Sequence, residues 1–201
     1  MLRLLTVALA AAGISLASAA EVSANPAWDP EGRITGGAPM SSVRNWNLFG
    51  GGSSGPIPRQ TVAFDSRHAP GTIVVNTRER RLYFVLGGGR AIRYGIGVGR
   101  DGFQWGGVHR ITAKKEWPSW TPPAQMRRRQ PGLPAFMKGG PDNPLGARAL
   151  YLGSTLYRIH GSNEPETIGT AVSSGCFRMT NDDVIDLYNR ARVGATVIVT
   201  R

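Results

Sequence analysis

Cys176 is the one cysteine in the 201-residue chain, and it stands in the run Ser173-Ser174-Gly175-Cys176-Phe177-Arg178-Met179, sixteen positions after His160. A thiol attacks as the thiolate, so it needs a base or a cation to offset its ordinary pKa of about 8.5, and imidazole is the usual base. The alternative is an inert core thiol, because free cysteine is among the most often buried side chains. The neighbours bear on the choice. Gly175 permits close backbone approach, and Ser173 and Ser174 are small and polar, which suits N–H groups converging on an anion better than an apolar slot.

Three histidines are available as the base. His160 closes an apolar run through Tyr157-Arg158-Ile159 and is followed at once by Gly161-Ser162-Asn163, the kind of strand end at which sites are assembled. His68 lies in a Pro/Gly turn, and His109 opens a strand after Gly106-Gly107-Val108, where a structural role is expected. These spacings are unlike those of zinc sites, and phosphate-loop and dinucleotide fingerprints are absent, so no metal and no cofactor is expected.

The elements that must hold these residues read as mainly β. Short β-type runs recur at Thr72 to Asn76, Arg81 to Leu86, Ala91 to Val98, Val108 to Lys114, Ala149 to Ile159 and Thr196 to Thr200, with polar or glycine connectors between the first three that predict a meander. One segment departs from this. Val184, Leu187, Tyr188 and Ala191 repeat at helical spacing, after Thr180 or Asn181 as a cap and with Asp182 and Asp183 at the positive end of the dipole. A short C-terminal amphipathic helix is therefore expected just past Cys176.

The N-terminus carries one positive charge, an apolar stretch and Ala17-Ser18-Ala19, the layout of a signal peptide over 1–19. An uncleaved anchor is the alternative. The segment 20–61 is rich in Gly, Pro and Ser and reads as a flexible lead-in, leaving 62–201 as a single domain. The formal net charge is +11. In an exported protein such a charge meets anionic envelope polymers and carboxylates rather than nucleic acid. Arg127-Arg128-Arg129 is the densest cluster and reads as a solvated basic loop, with no interleaved aromatics for base stacking.

Taken together, Ile159-His160-Gly161-Ser162-Asn163, the Ser173 to Met179 run and Asn181, Asp183 and Val184 resemble the signature of the L,D-transpeptidase catalytic domain, the YkuD-like family. The segments Trp117-Pro118, Trp120-Thr121-Pro122-Pro123, Gly139-Gly140-Pro141 and Arg148-Ala149-Leu150-Tyr151 resemble that family too, so the resemblance runs from about Thr72 to the C-terminus. Many members carry His where this chain has Ser174, which leaves His160 as the base.

The resemblance implies a β-sandwich-like domain acting on peptidoglycan stem peptides; the signal-peptide layout points to the periplasm or cell envelope, and a monomer is expected. Cys176 would attack the carbonyl before a terminal D-Ala, His160 would serve as general acid and base, and the Gly161 backbone carbonyl would orient the imidazole. The N–H groups of Gly175, Cys176 and Ser174 are the candidates for the oxyanion hole. Arg178, Ser173, Tyr157 and Trp120 are the candidate substrate contacts, Arg178 having loop bracing as its alternative. The acyl acceptor is left open between a second stem peptide, an envelope protein and a free D-amino acid. The alternatives are an L,D-carboxypeptidase using the same thioester and a non-enzymatic basic wall-binding protein.

Overall fold

The computed structural model describes residues 55–201; the expected signal peptide and most of the lead-in lie outside the described residues. A nine-stranded sheet dominates, in the order β1-β4-β3-β2-β11-β6-β7-β8-β10, and a separate parallel pair, β5 and β9, stands beside it. The fold is mainly β, as expected.

The first half of the large sheet grows from β2 (Ile73–Asn76), β3 (Arg81–Gly87) and β4 (Arg90–Gly95), an antiparallel meander to which β1 (Gln60–Ala63) adds at the edge. β1 begins two positions before the domain start expected at residue 62. β11 (Thr196–Thr200) pairs parallel to β2, so the C-terminus is stitched into the centre of the sheet. Ile73 and Val75 on β2 and Val197 and Val199 on β11 meet Leu82 and Tyr94 in the core, which is why these strands are rich in β-branched residues.

β6 (Gly107–Glu116) is long enough to serve both halves: its first residues pair with β11 and the rest with β7 (Arg148–Leu152). β8 (Arg158–His160) pairs antiparallel with β7, and β10 (Phe177–Arg178) closes the sheet parallel to β8. β5 (Val98–Gly99) and β9 (Ala171–Ser173) flank the segment that carries Cys176.

Two expected strands are divided. The run from Ala149 to Ile159 breaks into β7 and β8, because Thr155 turns the chain: its hydroxyl donates to Leu152 O at 2.6 Å and accepts from Tyr157 N–H at 3.1 Å. The run from Ala91 to Val98 stops at Gly95, since Gly97 leaves the meander and exchanges two 2.9 Å backbone bonds with Arg178. Arg127, Arg128 and Arg129 lie in a short helix, α1 (Ala124–Arg129), rather than in a loop. No residue of α1 is buried, so it carries none of the periodicity by which a helix is recognised.

α2 (Asn181–Arg190) is the expected amphipathic helix, with Val184 and Leu187 fully buried against the sheet. Thr180 is its cap, the hydroxyl accepting from Asp183 N–H at 3.2 Å. Asn181 ties the same turn to the rest of the domain by accepting from Ala147 N–H at 2.9 Å. Lys114, reaching across from β6, donates to Tyr188 O and Ala191 O and so satisfies carbonyls at the helix C-terminus. Replacing Thr180 with Ala removes the cap at a site only 1% exposed and is expected to lower stability by about 1 kcal/mol in urea unfolding.

Candidate active site

His160 ends β8 and Cys176 immediately precedes β10, and the parallel pairing of these strands sets Phe177 beside Ile159 and Arg178 beside His160. Successive residues of a strand point to opposite faces. Ile159, Phe177 and Met179 therefore project together into the core, where they are at most 1% exposed. Arg158, His160, Cys176 and Arg178 share the other face. The core residues thus fix the register that brings the imidazole and the sulfur to one side of the sheet.

His160 is 4% exposed, and its Nδ1 lies 2.6 Å from the Gly161 carbonyl oxygen. A carbonyl only accepts, so the proton belongs on Nδ1 and Nε2 keeps its lone pair. Burial pulls the imidazole from its ordinary 6.5 down to about 3; the positive charge of Arg178 adds to this, the bond to Gly161 opposes it, and Arg158 adds a smaller push. At neutral pH His160 is an uncharged base. Gly161 must be glycine, because a Cβ there would run into Asn181 Oδ1.

Cys176 is half-buried, and its thiol reaches Leu156 O at 3.9 Å. Burial pushes the thiol pKa up, while the charge and hydrogen bonds of Arg158, and then the charge of Arg178, act against it. The net shift is upward, so at neutral pH the thiol, like the imidazole on the same face, is uncharged.

The loop before the sulfur is held by groups on three segments. Ser173 Oγ accepts from Gly175 N–H at 3.1 Å and donates to Cys176 O at 2.6 Å. Gly175 has φ +110°, and a Cβ on it would collide with the Tyr157 ring. Trp105 donates its indole N–H to Gly175 O at 2.6 Å and stacks on Tyr157 with ring centroids 4.4 Å apart and planes 8° from parallel. His109 sits edge-on to the same indole at 5.0 Å, which fits the structural role expected for it.

Several sequence expectations change in this light. Ser173 is 4% exposed and bonded twice within its own loop, so its hydroxyl shapes the backbone there. The Gly175 N–H is donated to that serine. Arg178 donates to Glu164 at 2.8 Å and to Thr167 at 3.4 Å, bracing the turn before β9. Tyr157 packs on the loop as half of an aromatic pair. Trp120 exchanges backbone bonds of 2.8 and 2.7 Å with Met137 in the β6–β7 connection.

Trp105 was not anticipated: it lies 70 positions from Gly175, and only its place in the turn-rich Gly102-Phe103-Gln104-Trp105-Gly106 hinted at anything. Arg129 of α1 and Arg100 both lie over the Phe103 ring, at 5.0 and 4.7 Å, so part of the basic cluster is tied to this same segment.

A half-buried thiol and a neutral, oriented imidazole thus share one face of the β-sheet. The profile of the YkuD family, the L,D-transpeptidase catalytic domain, matches residues 70–199, and the chain belongs to that family. It is 40% identical over 155 residues to the probable L,D-transpeptidase ErfK/SrfK of Escherichia coli K12, across 73% of this chain and 48% of that protein. It is 40% identical over 156 residues to the probable L,D-transpeptidase YbiS of the same strain, across 73% of this chain and 49% of that one. The chain thus spans about half the length of these relatives. Among solved structures, the catalytic domain of the Enterococcus faecium L,D-transpeptidase acylated by ertapenem superposes with a TM-score of 0.52 at 18% identity, covering 67% of this chain and all of that one. That similarity bears on the fold, and the mainly β architecture agrees.

The buried imidazole has a consequence for folding. Between pH about 6.5 and about 3 the unfolded chain takes up a proton on His160 that the folded chain refuses. Because the folded-state value is depressed for a group that is neutral when folded, stability falls as pH drops through that window and is unaffected by this group above it. Urea unfolding at stepped pH should show this slope in the native sequence and a shallower one in His160→Gln.

Proposed function

We propose that the protein is an exported L,D-transpeptidase that uses Cys176 as its nucleophile on peptidoglycan tetrapeptide stems. What carries this reading is the β8–β10 register, which sets Cys176 and His160 on one face with the imidazole bonded through Nδ1 to Gly161 O.

The sulfur attacks the carbonyl carbon of the third-position L-centre as its proton passes to Nε2 of His160. The resulting oxyanion is received by the main-chain N–H groups of Cys176 and Ser174. When the C–N bond breaks, His160 returns the proton to the nitrogen of the departing D-Ala, and a thioester remains on Cys176. An incoming amine then attacks the thioester, loses its proton to His160 and regenerates the thiol. Because both partners start neutral, no ion pair is held at rest, and the imidazolium and the oxyanion arise only as the sulfur attacks.

The acceptor amine belongs to a neighbouring stem peptide, an envelope protein or a free D-amino acid, and water in its place would give an L,D-carboxypeptidase. The basic surface suits a wall carrying peptide carboxylates.

Incubation with disaccharide tetrapeptide, followed by mass spectrometry of protein and products, is the test. The intact protein is expected to gain an acyl adduct that Cys176→Ala lacks entirely. His160→Gln is expected to slow adduct formation by about 10²–10⁴-fold. Dimers or exchanged D-amino acids mark transfer, and tripeptide alone marks hydrolysis. If the adduct persists in Cys176→Ala, or never forms in the native sequence, the proposal is wrong. Ertapenem, which acylates the Enterococcus faecium domain, provides a second acylating probe.

A further inference from the structure

The parallel β8–β10 ladder has a definite end. His160 O accepts from Met179 N–H at 2.8 Å, so the even-numbered residues of β8 direct their main-chain groups toward β10. The next N–H along β8 that faces this way belongs to Arg158. In a parallel ladder of this register its acceptor would be the Gly175 carbonyl. That carbonyl is turned away instead, accepting the Trp105 indole N–H at 2.6 Å. With the regular acceptor withdrawn, the rung that Arg158 N–H would complete lies open next to Cys176.

The side chain of Arg158 lies close to the same place. Its Nη1 donates to Leu156 O at 3.2 Å, the same carbonyl that the Cys176 thiol reaches at 3.9 Å, so guanidinium and sulfur converge on one point. Its Nε is buried with no hydrogen-bond acceptor. Its charge lies over the Tyr151 ring at 5.2 Å. Among the described residues Arg158 forms no ion pair, whereas Arg178, the other cation near the sulfur, is paired with Glu164 at 2.8 Å. Arg158 therefore keeps a full, partly desolvated charge and a donor without a partner beside the reacting atom. A guanidinium in such surroundings gains most when an anion forms next to it.

We propose that Arg158 is a catalytic residue whose main-chain N–H and guanidinium hold the Cys176 sulfur in its anionic form, both as the thiol gives up its proton and again when the thioester expels it. The proposal rests on Cys176 being the nucleophile. It assigns Arg158 to the sulfur and leaves the proton to His160. The groups on the face of the sulfur are then Arg158 and His160 from β8 and Arg178 from β10, while Trp105 and Tyr157 hold the loop by stacking on each other.

Alkylation of Cys176 by iodoacetamide, followed as a function of pH without any peptide substrate, reads the thiolate directly. In Arg158→Gln the midpoint of the rate profile is expected to rise by about one pH unit, a loss of about tenfold in rate below the midpoint. Arg158→Lys, which keeps the charge but not the fork, is expected to rise by less, and Arg178→Gln to move least. Near-UV circular dichroism identifies the variants that keep the native fold; should Arg158→Gln lose it, Arg158→Lys decides. A midpoint that is unchanged or lower in the folded variants overturns the assignment. The two proposals fail separately: normal acylation by tetrapeptide with an unmoved alkylation midpoint removes only the role of Arg158. A shifted midpoint with no acylation of the native protein removes the transpeptidase reading and leaves the thiolate contact standing.

Discussion

The site depends on two short strands running in the same direction. β8 and β10 contribute only three and two residues, yet their pairing decides which side chains meet. A slip of one residue would turn Cys176 into the core and Phe177 out of it. That slip is opposed by the burial of Ile159, Phe177 and Met179, each contributing on the order of 1.5–3 kcal/mol when removed from water. The apolar face of these strands thus sets the position of the polar one. The separation of roles by alternate residues explains how so small an element can hold a reactive pair.

The nucleophile loop is irregular backbone, and irregular backbone must be anchored by side chains. Ser173 bonds inside the loop, Trp105 takes the Gly175 carbonyl, and Tyr157 lies against the Gly175 Cα. Trp105 and Tyr157 come from different parts of the chain and stiffen each other by stacking. The indole bond has a second effect, because it diverts the carbonyl that would have completed the ladder and frees a donor beside the sulfur. Support of the loop and the electrostatics of the thiol are in this way consequences of one hydrogen bond.

Much of this was legible in the amino-acid sequence, and the pattern of success has a physical cause. Cys176, His160, the meander and α2 were readable because their signals are local: residue type, turn chemistry and periodicity within a dozen residues. The division between β7 and β8 was missed because Gly153-Ser154-Thr155 lies inside an otherwise strand-like run, and the Thr155 hydroxyl bonds that close the turn appear only in three dimensions. Helix α1 left no pattern because none of its residues is buried. Trp105 and Arg158 act through partners 70 and 18 positions away, and only the register of the sheet makes those neighbours. The inward bonds of the Ser173 hydroxyl were not readable, because a serine in a Ser-Ser-Gly-Cys run looks the same whether its hydroxyl faces outward or inward.

The uncharged state of the thiol at rest has a bearing on the lifetime of the molecule. Peroxides and disulfides react with the sulfur anion, so a cysteine kept protonated by its buried setting is slow to be oxidised or capped. A chain with one cysteine has no resolving thiol of its own to reverse such damage. Burial of the sulfur therefore favours its chemical preservation.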